Sequence, residues 1–175
     1  MGTKYPFYRA YKLAEELIRQ AKKKYRNQKK IENNNGSSWL SYVISPGGYS
    51  GSLENILKQK FDTLNGNLTM IPYKIDDVKD GLEQLKQMIK DFDKDWPTNK
   101  IMQLREVLTK DEASREYFLA EIKARQLHLP KYKDTNDFCR LWKEKPSKEK
   151  ETPKEKETPF YDAIELKDFY PKYLL

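Results

Sequence analysis

The amino-acid sequence predicts an α+β fold in which one helix and a short strand precede a mainly helical remainder. Three observations predict it. Tyr11, Ala14, Leu17, Ile18, Ala21 and Tyr25 recur at helical spacing near the N-terminus. Trp39-Leu40-Ser41-Tyr42-Val43-Ile44 has strand composition and is bounded by turn residues on both sides. From Asp77 onward the apolar residues return every three or four positions rather than every two.

Taken in order, Pro6 is a favourable first-turn residue, and a helix is expected over about 6–26, apolar on one face and basic toward its end. Asn33-Asn34-Asn35-Gly36-Ser37 is a loop, and Pro46-Gly47-Gly48 ends the strand that follows it. Ser52 is placed to cap a short helix over 53–60. Asn65-Gly66-Asn67 is a turn, and Leu68-Thr69-Met70-Ile71 reads as a second strand. Asp76 or Asp77 is expected to cap a helix bearing Val78, Leu82, Leu85, Ile89 and Phe92 on one side, which Trp96-Pro97 ends. Thr98 opens another helix with Ile101, Leu104 and Leu108, and one more follows over about 111–127. Phe160, Ile164, Leu166, Phe169, Tyr173 and Leu174 give the tail enough apolar surface to dock as a last helix.

The strand at 39–44 has no earlier strand to pair with. Its backbone groups need a partner, so either 68–71 is that partner or the chain completes a sheet supplied from elsewhere. Between Lys143 and Pro159 the hexapeptide Lys-Glu-Lys-Glu-Thr-Pro occurs twice in tandem, at 148–153 and 154–159. Without apolar residues such a segment cannot offset its ordering entropy, and a flexible linker is expected. The organisation is therefore 1–62 as a first unit, 63–142 as a helical unit, 143–159 as linker and 160–175 as docking tail.

At 175 residues the chain allows one compact domain, or part of one with an appendage. Charged residues make up 35% and hydrophobic residues 37%, so the core is modest, while 12 tyrosines argue against wholesale disorder. One cysteine, Cys139, excludes an internal disulfide. No apolar run has the length of a membrane span or a signal peptide, which leaves the cytoplasm as the default compartment and no membrane partner. The net charge of +7 is concentrated: residues 1–30 hold ten basic side chains against Glu15 and Glu16 alone. Such a cluster attracts phosphates, of nucleotide or nucleic acid, although a solvated helix end has the same composition.

Most chemistry-bearing residues read as structural. The run 45–52 lies between strand and helix but lacks the Gly-Lys-Ser/Thr ending of a P-loop. His128 and Cys139 are too few and too far apart in sequence for a zinc site or a cysteine-histidine pair. Glu15 and Glu16 fall on the polar face of the first helix, solvated or paired with Arg19. The sharpest signal is Lys22 and Arg26, four residues apart and so on one helix face, where a planar fork and a point charge can grip one polyphosphate.

At these residues the sequence resembles a known family. Ala21-Lys22 followed by Arg26-Asn27 is similar to the Ala-Lys-x-x-Gly-Arg-Asn signature that closes a helix in GGDEF-type nucleotide cyclases, with Tyr25 standing where Gly is usual. The wider frame resembles the second palm domain of the large polymerase subunit of type III CRISPR effector complexes. Lys4-Tyr5-Pro6-Phe7-Tyr8 with Ala14-Glu15-Glu16-Leu17 resembles the helix after the catalytic hairpin, and 38–44 with 50–53 the last palm strand and exit. Leu68–Tyr73 and Asn99–Arg105 are similar to the helical region that follows, and Pro159–Leu166 to its end.

The resemblance implies a partial ferredoxin-like palm, helix and strand, in an enzyme that joins ATP into cyclic oligoadenylate for antiviral defence. It implies Lys22 and Arg26 as phosphate ligands. It also implies two magnesium ions held by a Gly-Gly-Asp-Asp hairpin and an earlier strand. The sequence contains no Gly-Gly-Asp-Asp, and its helix starts where that hairpin would have ended. No catalytic residue or metal ligand is therefore assigned, and ATP with magnesium is expected only when a complementing palm chain or effector-complex subunit supplies the missing half. The alternatives are a non-catalytic RNA- or protein-binding module, or a decayed fragment of such an enzyme.

Overall fold

The structure, a computed structural model, describes residues 7–32, 37–44, 51–63, 65–77, 81–130, 143–144 and 156–170. The first helix, α1 (Phe7–Glu32), runs six residues beyond the expected end at Arg26. With Tyr25 in place of a helix-ending glycine, nothing in 25–32 interrupts the α conformation. Strand β1 (Trp39–Leu40) follows, then α2 (Leu53–Phe61), capped as expected by Ser52, whose Oγ accepts from the Asn55 amide at 3.3 Å.

The second strand was expected at 68–71, and the structure corrects this. Segment 68–71 is irregular, and the strands lie on either side of it: β2 (Asp62–Thr63) and β3 (Gly66–Asn67) form a hairpin, and β4 (Tyr73–Lys74) pairs with β1. The apolar character of 68–71 is spent on the core, where Leu68 is buried, rather than on a ladder. In the β1–β4 pair Trp39 faces Lys74 and Leu40 faces Tyr73, antiparallel, and the Ile75 amide donates to the Ser38 carbonyl at 2.9 Å. The lone strand thus finds its partner within the chain. Strand alternation extends past the ladder: Trp39, Ser41 and Val43 face α1 and α2, while Tyr42 packs against the main core.

Helix α3 (Leu82–Asp95) starts later than expected, and neither Asp76 nor Asp77 caps it. Its N-cap is Gly81, without a side-chain cap bond, and Val78 lies outside the described residues. The Asp77 carbonyl instead accepts from the Gly81 amide, and Asp76 Oδ2 lies 3.5 Å from the Ser38 amide. Leu85, Met88, Ile89 and Phe92 bury one face of α3, and full burial stabilises each by roughly 1.5–3 kcal/mol. Helices α4 (Thr98–Val107) and α5 (Glu112–Ala124) follow as expected, α5 capped by Asp111. They are tied by Lys100, which is largely buried and bonds Gln103 and Glu121.

The expected linker is docked at its edges. Strand β6 (Lys156–Glu157) pairs with β5 (Lys143–Glu144) and, in parallel, with β3, giving the sheet order β2-β3-β6-β5. Thr158, fully buried, donates its amide to the Asn67 carbonyl at 3.1 Å. Gly66, at φ +138°, sits so close to the Lys156 carbonyl that any Cβ would collide with it. Residues 145–155, which carry most of the tandem repeat, lie outside the described residues, as do Cys139, Tyr173 and Leu174.

The last helix, α6 (Phe160–Lys167), docks by burying Phe160, Tyr161, Asp162, Ala163 and Ile164 against α3 and α4. Phe92 meets Trp96 and Phe160 edge-on, with ring centroids 5.4 and 6.4 Å apart. Asp162 is a carboxylate in this apolar core. Its Oδ2 accepts from Thr69 Oγ1 and the Met70 amide, each at 3.0 Å, and from Tyr73 Oη at 2.6 Å. The irregular segment 69–72 and the start of β4 are held by this one oxygen. Beside it Glu165 bridges Lys60 of α2 and Arg105 of α4.

Burial pushes the Asp162 carboxyl up to about 7, against the pull of its three donors, and the Glu165 charge adds to the rise. The folded chain therefore holds this proton more tightly than the unfolded chain, whose value is near 3.8. The contribution is full below about pH 4 and is lost as pH rises toward 7, on the order of 3–4 kcal/mol across that window. Denaturant unfolding at pH 5 and pH 8 should show this decline in the parent chain and a flatter profile in Asp162→Asn. Parallel pH profiles would refute the assignment.

Candidate phosphate-binding site on the first helix

Helix α1 is attached by one face only. Leu13 is buried with Leu53 and Ile56 of α2, and Leu17 and Val43 pack around them. A polar row runs along the same side. Glu16 Oε2 accepts from the Leu53 amide, the first amide of α2, at 2.5 Å; Gln20 Oε1 accepts from Ser41 Oγ at 2.8 Å; Gln28 Oε1 accepts from Trp39 Nε1 at 3.2 Å. Residues 16, 20 and 28 are one and two turns apart, so three bonds fix both rotation and register of the helix on β1 and α2. The expectation that Glu16 is solvated or paired with Arg19 is corrected: a carboxylate at a helix N-terminus meets unpaired amides and a favourable dipole there.

With that face pinned, the cationic side chains are turned outward. Arg19, Lys22, Lys23, Lys24, Arg26 and Lys29 are all exposed. Lys22 and Arg26 project in directions about 40° apart, whereas Lys23 and Lys24 are turned about 100° and 200° from Lys22. Among the described residues neither Lys22 nor Arg26 has a carboxylate within ion-pair distance. Lys22 stands at the rim of a shallow groove of about 370 Å³ between α1 and β1, lined also by Ile18, Ala21, Tyr25, Ser37, Ser38 and Trp39. Arg26 does not line it and lies one turn farther along. The groove is thus lined by a lysine, an indole and the three hydroxyl-bearing residues Tyr25, Ser37 and Ser38, with a second cation beyond.

The other candidates of the sequence separate in space. Ser52 caps α2, and 45–50 lie outside the described residues. His128 is exposed, and its carbonyl accepts from Trp96 Nε1 at 2.9 Å. Among the described residues no three His, Cys, Asp or Glu side chains gather where a metal ion could sit. No described helix is long and apolar enough to cross a membrane.

Sequence reasoning missed the Asp162–Glu165 cluster and the hydroxyl of Tyr42, buried without a hydrogen-bond partner among the described residues. Burial and the charges of Asp162 and Glu165 push that phenol well above its usual range. The available signal was a lone acid in Phe160-Tyr161-Asp162-Ala163-Ile164, an otherwise apolar run. Compared with known protein families, curated proteins and solved structures, the chain shows no significant match.

Because Glu16 is the charged member of the pinning row, Glu16→Ala should cost about 1.5–3 kcal/mol. It should also speed amide hydrogen exchange in α1 more than in α3 or α6. Equal acceleration in all three helices would show that Glu16 supports the whole fold rather than the seating of α1.

Proposed function

We propose that the chain is the C-terminal half of a palm-type nucleotide cyclase or oligoadenylate polymerase of prokaryotic antiviral defence, and that it supplies Lys22 and Arg26 to grip a triphosphate. The observation that carries this reading is the pinned helix. Glu16, Gln20 and Gln28 hold α1 by one face, which presents Lys22 and Arg26 to the outside, one turn apart and without acidic partners among the described residues. Pre-positioned cations of this kind are what a protein contributes to phosphoryl transfer, where charge on the phosphate oxygens must be stabilised without reorganisation. Ser38 and Trp39 beside Lys22 add a hydroxyl and a stacking surface to the same groove.

In this reading ATP and magnesium are bound when a complementing palm chain brings the acidic hairpin, and the chain by itself contributes the phosphate end of the site. A second reading is a non-catalytic module that binds RNA or a protein, favoured by the exposed Phe7, Tyr8 and Tyr11 at the start of the same basic helix.

Purified alone, the chain should make no cyclic or linear oligonucleotide from ATP with magnesium or manganese, since the sequence holds no Gly-Gly-Asp-Asp. Product formation by the chain alone would mean metal ligands other than those the reading requires. In the complemented protein, Arg26→Ala or Lys22→Ala should weaken ATP binding about ten-fold or more, the equivalent of losing a charge-assisted contact of roughly 1.5–3 kcal/mol. Lys23→Ala should change it little. Similar losses at all three positions, shrinking together as salt rises, would leave only a diffuse basic surface.

A further inference from the structure

The outward face of α1 carries a second pattern. Phe7, Tyr11, Ala14, Ile18, Ala21 and Tyr25 follow one another at intervals of four, three, four, three and four residues, the repeat of a helix–helix seam. In a free-standing helix of this size such a row is normally buried. Here Phe7 is 85% exposed, Tyr11 56%, Ile18 53% and Tyr25 37%. The side chains that attach α1 to the body, Leu13, Glu16, Leu17, Gln20 and Gln28, lie to one side of this row, and among the described residues the row touches the body only along the edge where Ile18, Ala21 and Tyr25 line the groove beside β1. It runs roughly 27 Å along the helix.

We propose that this seam docks an acidic amphipathic helix of a partner protein. Spacing and charge together select that occupant. Ala14 and Ala21 leave notches between the large residues Tyr11, Ile18 and Tyr25, which suit the knobs of an apposed helix. The seam is bordered on its solvent side by Lys22 and Lys29, with Arg26 beyond them, against Glu15 alone, so the matching flank of the partner is acidic.

The other occupants fit less well. A second copy of the chain would set two basic flanks against each other. Single-stranded RNA gains from aromatic rings spaced along its path, but Phe7, Tyr8 and Tyr11 crowd one end, and Tyr25 stands roughly 21 Å beyond them with Ala14, Ile18 and Ala21 between. A lipid surface gains nothing from the alanine notches. The seam shares Ile18, Ala21 and Tyr25 with the groove beside Lys22, but the peptide measurement needs no nucleotide, so its failure leaves the nucleotide reading standing.

The test is binding of the full chain to a synthetic helical peptide of about three heptads, with leucine at the seam positions and glutamate on the flanks, beside the same peptide with lysine flanks. The glutamate peptide should bind at least ten-fold more tightly. Ile18→Asp and, separately, Tyr11→Asp should each weaken it at least ten-fold, while circular dichroism shows the helix content kept and Tyr11→Asp, which lies outside the groove beside Lys22, leaves ATP binding by the complemented protein unchanged. Equal affinity for the two peptides, no binding of either, or binding indifferent to both substitutions overturns the proposal. So does self-association lost in Ile18→Asp, which would give the seam to a second copy. Retention of an RNA strand or of phosphatidylserine vesicles through Ile18, undisplaced by the glutamate peptide, overturns it as well.

Discussion

One oxygen atom organises this molecule. Oδ2 of Asp162 accepts from Thr69, Met70 and Tyr73, and so fixes an irregular segment that has no sheet to belong to. That segment ends in β4, β4 is the partner of β1, and β1 with α2 carries the helix whose cations are exposed. A buried charge is costly unless its hydrogen bonds are made, and here three donors converge on it. Its neighbour Glu165 extends the arrangement by joining Lys60 and Arg105, so α6 fastens α2 and α4 at the same place. The tail helix is therefore the piece that locks the rest, although it comes last in the chain.

The surface chemistry follows from a division of labour around α1. Uncharged amides of Gln20 and Gln28, with one carboxylate at Glu16, do the attaching. Among the described side chains no lysine or arginine of that helix takes part in the attachment. The result is a helix seated by one face with its cations exposed on the other.

Legibility varied with the range of the interactions involved. Helices α2, α4, α5 and α6 were readable because caps and three-to-four spacing are local: Ser52, Asp111 and the row Ile101, Leu104, Leu108 carry them. The start of α3 was misread because Asp76 and Asp77 have the composition of caps, while the turn that precedes the helix is closed by backbone, at Gly81. Segment 68–71 was misread because apolar residues that fill a core and apolar residues that line a strand look alike over four positions. Its tether, Asp162, lies about ninety residues away, and no local pattern reports it. For the candidate site, the Lys22 and Arg26 pair was visible in spacing alone, whereas the pinning bonds to Trp39, Ser41 and Leu53 were not, since each joins elements eleven or more residues apart.

The boundary drawn at residue 62 cuts through the hairpin of β2 and β3, and just before it α2 belongs to both sides. Its Leu53 and Ile56 pack with Leu13, its Phe61 lies in the main core, and Leu57 touches both clusters. Such a helix acts as an axle shared by two wheels. The packing under α1 is thereby joined to the packing around α6 through the nine residues of α2 and the Lys60–Glu165 contact, so neither end of the chain is seated without the other.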